Sequence, residues 1–244
     1  VLHHVLLALA AHEPLLLAGV HRALAPEIVE RDDGLITAAD AARYFTNPKD
    51  WAPGERELLA GIRGRVLDIG CGAGRHAVFV RQSGVEVLGL EPSAGAAQVA
   101  RDRGVQVMQA GVQDLPAGLG VFEEFLLLGN NLGLLADAVT AARVLSVLAE
   151  IAAPGARILG EGLDPHHTQN PLHVAYHARN RPLGRLPGQV RIRVRHDNLA
   201  TEFFDYLFVS PEELAGLLAA TPWRIERVHE HPEGRYHVEL RLEN

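Results

Sequence analysis

Apolar and polar positions change rhythm twice along the chain. Over residues 1–60 the apolar positions fall in helix-length stretches, broken by Pro14, Pro26 and the polar loop Glu30-Arg31-Asp32-Asp33-Gly34. That pattern predicts a mostly helical N-terminal segment with the prolines near helix starts. The run 5–20 is interrupted by His12, Glu13 and Pro14 and follows no basic stretch. It is too short and broken for a membrane span and lacks the charged start of a signal peptide, so it reads as two short core-facing helices. Asn47-Pro48 marks a turn, and Pro53 opens a further helix through Leu58.

From Arg65 the rhythm becomes short apolar runs alternating with helical stretches. Strands are predicted at 65–69, 85–90, 105–108, 122–128 and 156–160, and helices at 75–82, 94–101 and 132–151. Such alternation implies a parallel sheet with right-handed crossovers. The chain ends differently. Ser210-Pro211-Glu212-Glu213 forms a capping box with proline at the first helical position, and strands at 223–231 and 235–242 flank Glu233-Gly234 as an antiparallel hairpin. Before this ending, residues 163–208 read as an insert with a hairpin of its own, 189–195 and 201–209 around Asp197-Asn198. The predicted organisation is a helical cap or lid over 1–55, a core over 56–162, the insert over 163–208 on the substrate side, and 209–244 completing the core sheet.

Composition narrows the function classes. Net charge is −7 with 48% hydrophobic residues, an ordinary globular composition with no global attraction to nucleic acid or acidic membranes. Any basic site must be local. Cys71 is the one cysteine, which excludes an intramolecular disulfide and fits a reducing, cytoplasmic setting.

The candidate chemistry lies in Val66-Leu67-Asp68-Ile69-Gly70-Cys71-Gly72-Ala73-Gly74-Arg75. A strand runs into glycines at 70, 72 and 74, and a helix follows. Glycines permit a tight turn and close backbone approach to a ligand, while the helix start offers free amides and a positive dipole end to an anion. Glu91 closes the second strand, where a carboxylate can accept both hydroxyls of a ribose. A nicotinamide-dinucleotide fingerprint would need glycine at position 75, where Arg75 stands.

This segment, with Leu127-Leu128-Gly129-Asn130-Asn131-Leu132-Gly133-Leu134, resembles a bacterial subgroup of class I S-adenosylmethionine-dependent methyltransferases. The resemblance implies a Rossmann-like, mostly parallel seven-stranded sheet in the order 3-2-1-4-5-7-6, the last strand antiparallel, with an N-terminal helical cap and an insert after the fifth strand. It also implies S-adenosylmethionine as cofactor, S-adenosylhomocysteine as product, and no metal. Asp68 would face the cofactor's ammonium, and Gly70, Cys71, Gly72 and Gly74 its carboxylate. Glu91 and Pro92 would lie by the ribose, Val112 and Gln113 by the adenine, and Gly129 and Asn130 by the methionine part. Where the family often has an aspartate for the adenine amino group, Gly111 stands here.

Residues outside the cofactor motifs leave alternatives open. Tyr44, Phe45 and Trp51 either form a lid or dock the cap. His173 and His177, four apart on a predicted helix, have a workable metal-ligand spacing without a third ligand. Tyr44 and His177 are the candidate catalytic groups, and Trp51, Tyr176, Arg191 and Arg193 the candidate substrate contacts. Arg191, Arg193 and Arg195 point the same way on a strand. They either meet an anion or pair with the protein's own acidic residues, Glu30, Asp32 and Asp33 being candidates for a cationic substrate or a solvated loop. The expected acceptor is a small molecule, the protein being a monomer or homodimer off the membrane. The alternatives are an RNA or protein acceptor docked on the 179–195 arginines, or a non-catalytic cofactor-binding protein.

Overall fold

A computed structural model describes residues 26–51, 54–116, 118–196 and 199–243. The helices expected over 5–20 lie outside the described residues. The first described elements correct the helical reading: β1 (Pro26–Arg31) and β2 (Ile36–Asp40) pair antiparallel, Val29 opposite Thr37. The loop between them is a hairpin turn. Gly34, at φ +89°, donates its amide to the Arg31 carbonyl at 2.8 Å, and Asp33 accepts a two-pronged hydrogen bond from Arg31 at 2.7 and 2.8 Å. An Asp-Gly pair between β-branched residues is a hairpin signal, and it outweighs the proline at position 26.

Two single 3₁₀ turns, Ala41–Phe45 and Pro48–Asp50, lead to α1 (Glu55–Ala60). The alternating region follows as β3 (Arg65–Ile69), α2 (Arg75–Gln82), β4 (Glu86–Leu90), α3 (Ala94–Asp102), β5 (Gln106–Met108) and β6 (Phe122–Leu127). The long helix expected from residue 132 is divided. A 3₁₀ turn covers Asn131–Leu135, Ala136 takes φ +56°, and α4 (Ala138–Glu150) begins only after Asp137 caps it by accepting the Thr140 amide at 2.8 Å. Next come β7 (Ala152–Leu163), α5 (Pro171–Asn180), β8 (Gln189–His196), β9 (Leu199–Ala200), β10 (Phe204–Leu207), α6 (Pro211–Leu218), β11 (Trp223–Glu230) and β12 (Arg235–Leu242). β7 outruns its expected length because β12 pairs with it from Arg157 to Leu163.

The main sheet has seven strands in the order β11-β12-β7-β6-β3-β4-β5. Counting only its own strands, this is the expected 3-2-1-4-5-7-6. β4 with β5 and β6 with β7 are parallel, while β12 runs antiparallel to both β7 and β11. A second sheet has the order β10-β8-β1-β2, with β9 on β8. The insert hairpin of the sequence reading is present as the neighbours β8 and β10, but its union with the N-terminal segment was missed: β1 pairs antiparallel with β8.

Two compact units are present. One takes in the chain up to Arg63, Leu67–Val112 and Ile192–Phe203. Its packing is tight where α3 is alanine-rich: a Cβ on Gly74 would lie 3.0 Å from Val105 and 3.3 Å from Ala100. The other unit takes in Gly64–Val66, Gln113–Arg191 and the chain from Phe204. Its core centres on Trp223, fully buried, edge-on to Phe125 at 5.9 Å and donating Nε1–H to the Leu145 carbonyl at 2.9 Å. Buried aromatic N–H groups need such a partner. Among the described residues no helix is long and apolar enough to cross a membrane.

Candidate functional site

The turn after β3 is built from three left-handed glycines, Gly70, Gly72 and Gly74, at φ +68°, +55° and +77°. Gly70 and Cys71 donate their amides to the Leu90 carbonyl at 2.8 and 3.1 Å, and Gly74 donates to Cys71 at 2.8 Å. Gly74 caps α2 with no side-chain acceptor of its own, and of the first-turn amides that of Ala77 goes to Asp68. A Cβ on Gly72 would meet no protein atom within 4 Å. The amides of Gly70, Cys71, Gly72 and Gly74 are committed to protein oxygens, so within this segment it is the start of α2 that suits an anion.

Asp68, next to last in β3, is 2% exposed, and its Oδ2 has no hydrogen-bond partner. Burial raises its pKa to about 6, against the opposing pull of the His76 and Arg75 charges and the Ala77 amide. An orphaned, buried carboxylate oxygen is costly unless a ligand completes it. Glu91, also buried, closes β4 and accepts the Gly72 amide at 3.0 Å and the Ser93 amide at 2.9 Å. Each carboxylate oxygen retains a second lone pair. Glu91 therefore shapes the glycine turn as well as offering acceptors. Cys71 packs its sulfur where a Cβ of Gly89 would come within 2.6 Å, and burial pushes its thiol well above the ordinary range. It is a protonated filler. Pro92 is exposed, Val112 is 8% exposed, and Gln113 is exposed with its carbonyl accepting from Arg143 at 3.2 Å.

Phe45, Trp51 and Glu55 are fastened onto α2 and the glycine turn. Trp51 lies edge-on to His76 at 5.3 Å and to Phe79 at 5.1 Å, under the Arg75 guanidinium at 5.0 Å, and donates Nε1–H to the Thr46 carbonyl. Glu55, 3% exposed, binds His76 Nε2 at 2.6 Å and the Arg75 guanidinium. Burial raises the Glu55 carboxyl, but the hydrogen bonds and charges of His76 and Arg75 prevail and hold it below the usual carboxylate range. Arg103 donates to the Ala73 carbonyl at 2.6 Å and covers Phe45 at 5.2 Å. Tyr44 donates its hydroxyl to Glu27, which Arg43 also pairs. Burial, then the Glu27 charge, pushes the Tyr44 phenol to about 12, so it stays protonated at neutral pH. Trp51 thus has a docking role in this structure.

In the other unit, the chain leaving β6 turns sharply, with Gly129 at φ +70° and Asn130 at φ +67°. Gly129 donates its amide to Glu161 Oε2 at 2.8 Å, and the Asn130 carbonyl accepts the Tyr206 hydroxyl at 2.5 Å. The Tyr206 ring occupies the space of a side chain at Gly133, where a Cβ would lie 2.1 Å from ring carbon.

The insert separates its candidates. Tyr176 is 2% exposed, beneath the Arg179 guanidinium at 4.5 Å, its hydroxyl 3.4 Å from the Arg191 amide. It is a packing residue. Arg193 forks onto Glu30 at 2.9 and 3.0 Å and Arg195 joins it at 2.9 Å, so two guanidinium groups of the stripe engage the acid of β1. Arg191 is exposed. His177 is half-buried, and His173 lies 3.1 Å from the Thr168 hydroxyl. Among the described residues no group of three or more His, Cys, Asp or Glu side chains can hold a metal ion. The sequence reading missed Glu55 and Glu161. Glu161 carried a legible signal, an acid flanked by Gly160 and Gly162 near the end of an apolar strand, as Glu91 stands just beyond Gly89-Leu90.

Residues 66–155 match the family model described as a methyltransferase domain. The fold is similar to a SAM-dependent methyltransferase from Bacteroides fragilis solved with S-adenosyl-L-homocysteine (TM-score 0.79, 20% identity, covering 98% of this chain and 94% of that one). It is similar also to a SAM-dependent methyltransferase from Methanosarcina mazei (TM-score 0.61, 17% identity, 80% and 99% covered). At these identities the likeness is one of fold. A tRNA U34 carboxymethyltransferase of Trichlorobacter lovleyi is 44% identical over 73 residues, 27% of this chain. The match spans 23% of that relative's length.

Proposed function

We propose that the chain transfers a methyl group from S-adenosylmethionine to a small-molecule acceptor. The observation that carries this reading is the buried, unpartnered Oδ2 of Asp68 beside a left-handed glycine turn with open space at Gly72, inside the segment matching a methyltransferase domain. The residues fit the cofactor. The Asp68 carboxylate complements an ammonium, the uncapped start of α2 complements a carboxylate, and the remaining lone pairs of Glu91 suit ribose hydroxyls. Once bound, S-adenosylmethionine supplies a methyl group on a positively charged sulfur. The chain's task is then to orient the acceptor and exclude water.

The pairing of Arg193 and Arg195 with Glu30 favours a small acceptor over RNA, because phosphate binding needs those charges free. Calorimetry with S-adenosylmethionine tests the reading. Wild type binds, Gly72→Val does not, and Glu91→Ala binds weakly, each charge-assisted hydrogen bond being worth about 1.5–3 kcal/mol. Near-normal affinity in both variants refutes this placement of the cofactor. Release of S-adenosylhomocysteine only when acceptors are added separates an enzyme from a non-catalytic binder.

A further inference from the structure

The methyl-transfer reading uses the start of α2 but gives no part to the two side chains found there, Arg75 and His76. Both are tied down. Arg75 donates Nη1–H to Thr46 Oγ1 at 3.2 Å, lies over the Trp51 ring at 5.0 Å, and pairs through Nη2 with Glu55. His76, 8% exposed, is edge-on to Trp51 at 5.3 Å, with Nε2 2.6 Å from Glu55 Oε1. A proton must lie between those two atoms. Glu55 is held below the usual carboxylate range, so the proton sits on Nε2 and His76 donates. One carboxylate, 3% exposed, thus grips both side chains. Arg75 and His76 are also the first two residues of the helix, so their own amides have no acceptor within it. The next amide, that of Ala77, goes to Asp68. All of these residues belong to one compact unit, which also holds Glu91.

We propose that Glu55 is a positioning residue for the amino-acid end of S-adenosylmethionine, acting through Arg75 and His76. By fixing those two side chains it fixes the first turn of α2, whose open amides suit the cofactor's carboxylate and whose Ala77 amide orients Asp68 toward the ammonium. The inference rests on the methyl-transfer reading above. Donors already aimed at an anion need no rearrangement when it arrives, and a turn already ordered loses less conformational entropy on binding. A buried carboxylate is costly without such cationic partners, so Glu55 stays in place only while it holds both. The nucleoside end of the cofactor leans on a different acid. Glu91, at the close of β4, takes the Gly72 and Ser93 amides and none of the contacts of Glu55. The effect of Glu55 is therefore confined to one end of the ligand. A carboxylate that only braced the fold would affect both ends alike.

The test is calorimetry on the full chain with two probes. S-adenosylhomocysteine carries the amino-acid end, and 5′-methylthioadenosine carries the same nucleoside and sulfur without it. In Glu55→Ala, affinity for S-adenosylhomocysteine falls about tenfold or more, the worth of one charge-assisted hydrogen bond, while affinity for 5′-methylthioadenosine stays within about twofold of wild type. Glu55→Gln, which keeps an acceptor for Arg75 and His76, recovers most of the loss. A thermal melt of each variant shows that it is folded. Should Glu55→Ala fail to fold, Glu55→Asp takes its place: the charge remains but stands one methylene short of both partners, and the same selective loss is expected. An equal loss for the two probes marks a bracing residue and overturns the proposal, as does undiminished affinity for S-adenosylhomocysteine. Wild type that binds neither probe sinks the methyl-transfer reading, whereas wild-type binding without the split between probes in the variants sinks the role of Glu55 alone.

Discussion

On the proposed reading, Asp68 couples cofactor binding to pH. Its carboxyl, raised to about 6 by burial, must be ionised to attract an ammonium. Affinity for S-adenosylmethionine is therefore flat above pH 7 and falls below pH 6, by about tenfold at pH 5. Calorimetry across pH 5–8 reads this directly, and a flat profile refutes the role. The same group affects stability with the opposite sense. The folded protein holds this proton to higher pH than the unfolded chain, whose aspartate titrates near 3.8. Its contribution to stability is therefore present below pH 4, lost as pH rises to about 6, and absent above. The shift corresponds to roughly 2–3 kcal/mol. Urea unfolding of the ligand-free protein should show that Asp68→Asn removes this decline, leaving the variant no less stable at pH 8 while losing cofactor affinity. Asp68, the glycines and Glu91 were legible in the sequence because a strand-end acid and a glycine turn are local patterns. The orphaned oxygen was not, since it depends on what surrounds Asp68 from distant parts of the chain.

At the scale of elements, local rules succeeded where one segment decides its own fate. The capping box at Ser210 exists as read, Ser210 Oγ accepting the Glu213 amide at 3.1 Å and Glu213 accepting the Ser210 amide at 3.0 Å. Ser210→Ala should cost about 1 kcal/mol in urea unfolding with an unchanged slope. Reading failed where a partner decides: β1 and β2 were taken as helical because the strand that completes their sheet, β8, comes from the insert. The division of the helix beyond β6 belongs to this class too. Gly133 is tied to Tyr206, so Gly133→Ala should displace that ring and its hydrogen bond to Asn130, whereas Tyr206→Phe removes the bond alone, about 0.5–1.5 kcal/mol. Thermal melts that rank the two variants in the reverse order would refute this coupling.

For the whole molecule, alternating strands and helices followed by a terminal hairpin made a mostly parallel sheet with an antiparallel end legible, while the strand order came from the resemblance to class I methyltransferases. The acceptor was not readable, because the motifs legible in the sequence concern the cofactor alone. The stripe at 191, 193 and 195 shows the reverse error, a pattern suggestive by itself whose charges meet Glu30 once folded. A ligand that binds only the folded state must raise its melting temperature. At one hundred times Kd the added stability is about 2.7 kcal/mol, so S-adenosylmethionine and S-adenosylhomocysteine should both shift the melt of wild type and neither that of Asp68→Asn.

Glu30 and Arg195, joined in the second sheet, stand 165 positions apart in the chain. During synthesis the ribosome must deliver the whole intervening stretch before β1 can find β8. β1 thus leaves the exit tunnel long before its partner, and chains released before the insert keep that edge bare, prey to chaperones and proteases.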